Sequence, residues 1–226
     1  MNRKGMTEQR QGEFNPTELF QITKCLNCPN AVVDISRAEE ILLRTFRGMD
    51  FSSKQLERLG GAKPKHHHIF RVAIAGCPNS CCQPQIKDFG LQGQSVPEIG
   101  EGCNGCGLCV KACPDQSITL GKSGPVIDRS LCLNCGKCAS CPTGAITIGR
   151  RGYRVIRGGK LGRRPMLAVE VCSLTGEEGA AAFLREAIDL LHRKGIPGER
   201  LGALLARLEY EKNQHQECAP LKEIKL

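Results

Sequence analysis

The sequence holds no tryptophan, and its 226 residues include only two tyrosines and seven phenylalanines. An ordinary aromatic core is therefore excluded, and bound groups are expected to replace part of it. No uninterrupted apolar run approaches the roughly 20 residues of a membrane-spanning helix, so no such span is expected. Residues 1–12 are polar and lack the apolar stretch of a secretory leader. The most basic stretch lacks the interleaved aromatics that stack on nucleobases, with Tyr153 alone there, so nucleic acid is not the expected partner. Cysteine runs the other way. There are fifteen, an odd number, in a chain without a visible leader. This favours a reducing, cytoplasmic and anaerobic setting in which cysteine binds metal.

Eight of these cysteines fall between Gly102 and Gly149. They read Cys103-x-x-Cys106-x-x-Cys109-x-x-x-Cys113-Pro114 and Cys132-x-x-Cys135-x-x-Cys138-x-x-Cys141-Pro142. Thiolates so spaced sit on a tight loop and converge on a cubic cluster, and the last cysteine of each run ligates the other cluster. One [4Fe–4S] cluster is expected on Cys103, Cys106, Cys109 and Cys141. A second is expected on Cys132, Cys135, Cys138 and Cys113. Cys103, Cys106 and Cys109 recur 29 residues later, and each run precedes a strand-like segment, Ser117–Leu120 and Ala145–Ile148, so the stretch is an internal duplication. The second run is one residue shorter before its last cysteine. Zinc knuckles and disulfides are rival readings, but the nested order and the proline after each fourth cysteine favour iron–sulfur. The stretch resembles the bacterial two-cluster ferredoxin.

Outside it, residues 1–20 read as a loose arm anchored by Phe14, Leu19 and Phe20. Cys25-Leu-Asn-Cys28 follows, a half-site for a metal or a redox pair. Ser36-x-x-Glu39 predicts a capping box, with Ala38, Ile41, Leu42, Thr45 and Phe46 at helical spacing behind it. A second helix is predicted over Ser52–Leu59. His66–His68 on an extended segment cannot all face one site; they are surface or hydrogen-bonding residues, or stand near an anionic cofactor. Phe70–Ala75 alternates as a half-buried strand. It delivers Cys77-Pro-Asn-Ser-Cys81-Cys82 at its end. Two partial motifs separated by helices can together supply four thiolates, so a third [4Fe–4S] cluster is expected on Cys25, Cys28, Cys77 and Cys81. Cys82 is expected to be a packed thiol, with ligation as the alternative. Gln83–Gly93 reads as a turn-rich run with one short strand. Beyond the cysteine stretch, a β-hairpin is predicted to turn at Gly158-Gly159, and Met166–Val171 to form a strand closing at Cys172. Thr175-x-x-Glu178 should cap a helix whose apolar stripe is Leu184, Ala187, Ile188 and Leu191. Leu201, Leu204, Leu205 and Leu208 mark a last helix, and Cys218 lies in a charged tail.

Gly76-Cys-Pro-Asn-Ser-Cys81 and Gly158-Gly-Lys-Leu-Gly-Arg163 resemble the sulfite/nitrite reductase family, whose members couple a [4Fe–4S] cluster to sirohaem. The resemblance covers residues 23–93 and 150–195 and is closest to the small anaerobic sulfite reductases. It implies an α+β fold: a sulfite-reductase-like half-domain (23–98 and 150–212) with an inserted two-cluster ferredoxin-like domain (99–149), an arm (1–22) and a tail (213–226). It also implies that Cys81 bridges to the sirohaem iron. The family's first pair is Cys-x5-Cys; here Ile22 occupies the earlier position and Cys25 stands in.

The charge of +9 concentrates in Arg150, Arg151, Arg154, Arg157, Lys160, Arg163 and Arg164. Such a patch attracts a carboxylate-rich cofactor or an oxyanion, although a plain solvated surface would look the same. Under the resemblance, Cys81, Arg71, Lys160 and Arg163 serve the reaction, and Arg154, Arg157 and Asn79 bind the cofactor. Arginine suits such anions because its fork is planar and permanently charged. The expected function is a sirohaem-dependent sulfite or nitrite reductase fed by a ferredoxin or a reductase subunit, with a partner chain or second copy completing the pocket. A sirohaem-free, three-cluster electron-transfer protein serving a partner oxidoreductase is the alternative. A redox-sensing regulator is the third reading.

Overall fold

The computed structural model describes residues 18–26 and 28–217. The expectations for Phe14, most of the arm and Cys218 lie outside these residues. In chain order the elements are β1 (Phe20–Lys24), α1 (Ile35–Gly48), α2 (Phe51–Arg58), β2 (Phe70–Ala75), β3 (Phe89–Ile99), α3 (Leu108–Ala112), β4 (Ile118–Gly121), β5 (Gly124–Ile127), β6 (Ile146–Arg157), β7 (Val169–Thr175), α4 (Glu177–Lys194) and α5 (Leu201–Glu217). The fold is α+β. Its main sheet has the order β1-β2-β3-β6-β7, parallel across β1, β2 and β3 and antiparallel from β3 to β7. β4 and β5 form a separate two-stranded ladder. No described helix is long and apolar enough to cross a membrane.

Strand alternation gives this sheet two unlike faces. Phe70, Val72 and Ile74 of β2, with Phe89 and Leu91 of β3, join the core built by α1, α2, α4 and α5. The apolar stripes of α1 and α4 are buried as their spacing predicts. Each large side chain fully buried there contributes roughly 1.5–3 kcal/mol. The few aromatics are concentrated rather than spread. Phe20 stacks on Phe46 at 4.2 Å, and Phe51 and Phe70 meet them edge-on. The other face carries Arg71, Ala73 and Ala75 from β2 and Gly90, Gln92 and Gln94 from β3. A second, small core gathers Cys109, Ile118, Ile127, Cys138 and Ile146.

Several local expectations change. The arm is not loose at its end: Leu19 is fully buried and Phe20–Ile22 belong to β1, paired with β2. α1 is capped by Asp34, whose carboxylate accepts from the Ser36 and Arg37 N–H groups at 3.0 and 3.2 Å. Glu39 pairs with Lys24 instead of closing a capping box. Thr175 ends β7, and Gly176 precedes α4 without a side-chain cap; Glu177 and Glu178 face the helix dipole instead. His66–His68 form a 3-10 turn and not an extended segment. β3 runs for eleven residues where a short strand was expected. The hairpin does not turn at Gly158-Gly159. Gly159 packs its backbone so closely on Gln85 that an added Cβ would lie 2.4 Å from the Gln85 carbonyl oxygen, so the chain leaves the sheet there. It loops through a Lys160–Met166 backbone pair before β7 begins. The ferredoxin-like stretch has no clean end near Gly149, because β6 passes unbroken from Ile146 into the main sheet, and α5 extends into the expected tail as far as Glu217.

Candidate metal centres and the basic cluster beside them

The two cysteine runs fold alike. Gly107 and Gly136, each just after the second cysteine of its run, take φ of 71° and 72°, a left-handed turn that glycine makes without strain. The third cysteines, Cys109 on α3 and Cys138 in a 3-10 turn, are buried. Cys113, Cys132, Cys135 and Cys138 line one recess with Pro97, Ser117 and Ile118. Burial first, then Cys132 and Cys135, then Cys113, push the Cys138 thiol up to about 11. Cys109 is raised by burial and then by Cys141 and Cys103. The structure thus brings Cys113 beside Cys132, Cys135 and Cys138, and Cys141 beside Cys103 and Cys109; Cys106 is exposed. Against burial, hydrogen bonds from Ser117 lower Cys113, and hydrogen bonds from Thr143 bring Cys141 down to about 7; thiolates so placed form a donor set that a cation stabilises. Among the described residues, no three His, Cys, Asp or Glu side chains close on one point as a single ion requires.

A second group lies at the carboxyl ends of parallel strands β1 and β2. Cys25 is the first residue after β1, its N–H donating to the Ile74 carbonyl at 3.2 Å. Ile22 lies inside β1, paired with Val72, and packs on the core. Cys77 is raised by burial and also feels Cys28, Cys25 and Cys81. Asn79 donates its side-chain amide to Cys81 Sγ at 3.0 Å. These four cysteines are therefore neighbours. Cys82 is packed against the same group: it is buried with Ala73, Ala75 and Cys25, and burial and then Cys25 push it up to about 12. Cys172 is half-buried, its Sγ 3.5 Å from the Leu174 carbonyl oxygen.

The basic residues divide. Arg71 lies on the open face of β2, its guanidinium 2.8 Å from His66 Nδ1. Asp88, almost fully buried, accepts two bonds from Arg200 at 3.1 and 2.8 Å and one from the Arg71 backbone N–H at 2.9 Å. Lys87 is half-buried beside Arg71, Cys82 and Arg200, and burial followed by Arg71 lowers its affinity for the proton. Three cations thus surround one carboxylate, an excess of charge that an anion would offset. The sequence pattern missed Lys87 and Arg200. Lys87 follows the cysteine motif in a run that reads as turns, and Arg200 lies 112 residues from Asp88 with no local signal. Arg154 pairs with Gln92 and shares the face of Arg71, but it is held by Glu170 at 3.1 Å with the Nε–H poorly aimed. Arg157 pairs with Phe89, so alternation sets it on the face opposite Arg154. Lys160 donates to the Arg164 carbonyl at 2.6 Å, and Arg163 is exposed.

Cysteines brought together within the two runs and at the ends of β1 and β2 mark an iron–sulfur protein. Residues 23–222 match the nitrite and sulphite reductase 4Fe-4S domain, and the chain belongs to that family. It is 30% identical over 190 residues to a coenzyme F420-dependent sulfite reductase of Methanocaldococcus jannaschii, covering 82% of this chain and 28% of that protein. It is 36% identical over 67 residues to one of the subunits of the anaerobic sulfite reductase of Salmonella typhimurium, covering 29% of this chain and 19% of that one. The chain therefore spans less than a third of either relative. Its fold matches the crystal structure of dissimilatory sulfite reductase I, with a TM-score of 0.53 and 16% identity over 91% of this chain and 55% of the other.

Proposed function

We propose that this chain carries electrons through three [4Fe–4S] clusters to a sirohaem that reduces sulfite or nitrite. The observation that supports it most is the meeting of Cys25, Cys28, Cys77 and Cys81 beside a cationic excess of Arg71, Lys87 and Arg200. Cys103, Cys106, Cys109 and Cys141 hold one cluster, Cys113, Cys132, Cys135 and Cys138 a second, and Cys25, Cys28, Cys77 and Cys81 a third.

The residues present suit a carboxylate-rich macrocycle and an oxyanion, because the sheet face turned away from the helices has Arg71, Lys87 and Arg200 around the single carboxylate of Asp88. Sirohaem, when bound, would supply the iron at which the anion is reduced. The chain's own part is different. Cys81, the exposed member of its group, presents its sulfur outward, where it accepts from the Asn79 amide. Arg71, Lys87 and Arg200 attract and orient the anion; Arg154 shares their face, Lys160 and Arg163 add outlying positive charge from the loop after β6, and Arg157 faces the other side. Lys87, whose proton is loosened by burial, would give it to an oxygen of the bound anion, with solvent supplying the second proton of each water and reprotonating the amine. Electrons arrive singly from a ferredoxin or a reductase subunit, and a partner chain or second copy completes the cofactor pocket.

Anaerobically purified protein tests this directly. Three clusters and a sirohaem require about 13 iron atoms per chain, with sirohaem bands in the visible spectrum and sulfite-dependent oxidation of a reduced viologen dye. About 12 iron atoms without tetrapyrrole absorbance would leave electron transfer to a partner oxidoreductase as the function. Cys81→Ser should disturb the third cluster alone, and unchanged spectra would remove Cys81 from the ligand set.

A further inference from the structure

β3 runs between two of the thiol groups. Its Gln92 is level with Ala75, two residues before Cys77. Next to it Gly93 abuts Gly76, where an added Cβ would lie 2.4 Å from the Gly76 carbonyl oxygen. Ser95 is bridged in parallel to Cys135, and its N–H donates to the Asn134 carbonyl at 2.7 Å. Gly136 closes the junction, since a Cβ there would meet Ser95 Oγ at 2.7 Å. A strand rises about 3.3 Å per residue, so Ala75 and Cys135 are anchored roughly 10 Å apart on one strand. Of the two ferredoxin-like sets, the one containing Cys135 is thus joined directly to the strand beside Cys77.

Gln94 stands between these anchors and is fully buried. Alternation places it on the face of Gln92 and Ala75, where Cys25 and Cys82 also pack. Gln92 is satisfied, its amide donating to Ser80 Oγ at 2.8 Å. Gln94 is not. Its Nε2 reaches only the Gln92 carbonyl at 3.5 Å, and its Oε1 has no partner. A buried amide left half-paired calls for an explanation, and a group absent from the polypeptide is one. The Nε2 amide keeps a second N–H free to donate, and thiolate and sulfide are acceptors.

We propose that Gln94 is a positioning residue of the Cys25/Cys28/Cys77/Cys81 centre, its amide donating to sulfur there on the side where the Cys113/Cys132/Cys135/Cys138 set passes electrons on. This rests on the three-cluster reading above. A hydrogen bond to cluster sulfur favours the reduced, more negative state and so raises the reduction potential. The test is a dithionite titration of the iron-loaded full chain, followed by electron paramagnetic resonance, for wild type, Gln94→Glu and Gln94→Leu. Both variants should lower the potential of the third centre and leave the other two unmoved. Gln94→Leu, which buries no charge, keeps the test open if the buried carboxylate of Gln94→Glu prevents folding. An unmoved third potential, an equal shift of all three, or a shift of the Cys135-containing centre alone would overturn the proposal. Failure of the underlying reading shows separately: wild type itself would then bind about 8 iron atoms and give two signals.

Discussion

Replacing Asp88 with alanine should be among the most damaging single changes outside the cysteines. Asp88 is 2% exposed at its side chain and Arg200, its partner at the start of α5, is 19% exposed. The carboxylate accepts three bonds, two from Arg200 and one from the Arg71 backbone, so its loss strands a guanidinium and a strand N–H together. It also leaves Arg71, Lys87 and Arg200 facing one another with no anion between them. Breaking a buried pair from one side costs about 3–5 kcal/mol. In a chain of this size each kcal/mol moves the melting midpoint by about 2–4 °C, which predicts a fall of roughly 6–20 °C. Melting followed by circular dichroism under anaerobic conditions, with wild type and variant at one scan rate, measures it. The paired change Asp88→Leu with Arg200→Met removes both charges and should recover most of the loss. A single-variant fall under about 2 °C, or no recovery in the pair, would refute the assignment of Asp88 as the anchor of α5.

His192 gives a pH test. It is half-buried against Phe51, its Nε2 unpartnered, and burial, then Arg58 and Lys54, push its pKa from 6.5 down to about 4. The unfolded chain takes up a proton as pH falls through 6.5, while the folded chain does not until about 4. Stability is therefore lost on acidification across that window, by on the order of 1–2 kcal/mol after allowing for partial exposure. His192→Phe should flatten the slope, and an equally steep variant would exclude His192 as its source. Gly93→Ala should force β2 and β3 apart beside Cys77, because the new Cβ lies 2.4 Å from a backbone oxygen. Cluster iron should then drop from about 12 to about 8 atoms per chain with ferredoxin-like signals intact, and full iron content would contradict this. Tyr153→Phe removes the 2.7 Å bond from the hydroxyl to the Asp34 carbonyl and should cost about 0.5–1.5 kcal/mol by the same melting assay, without changing cluster spectra. No measurable loss would mean that water replaces the bond.

Local chemistry in the chain determined much of this protein. The strand Phe70–Ala75 and the stripes of α1 and α4 follow from apolar spacing, since burial rewards one face of each element. The cysteine runs announce their clusters because thiolate spacing, glycine and proline are local requirements. The helix starts misled, because Asp34 and Gly176 hold positions that the Ser36 and Thr175 patterns claim more visibly. Tertiary structure alone decided which distant groups meet. Parallel pairing of β1 and β2 carries Cys25 to Cys77 across two helices. The long β3 places Gln94 between two thiol sets, and Arg200 reaches Asp88 only when α5 packs home. None of these leaves a periodic trace, because a contact between residues far apart in sequence depends on where the chain returns in space. The sequence could therefore point to candidate ligands, but the fold had to set them beside the charges and amides that surround them.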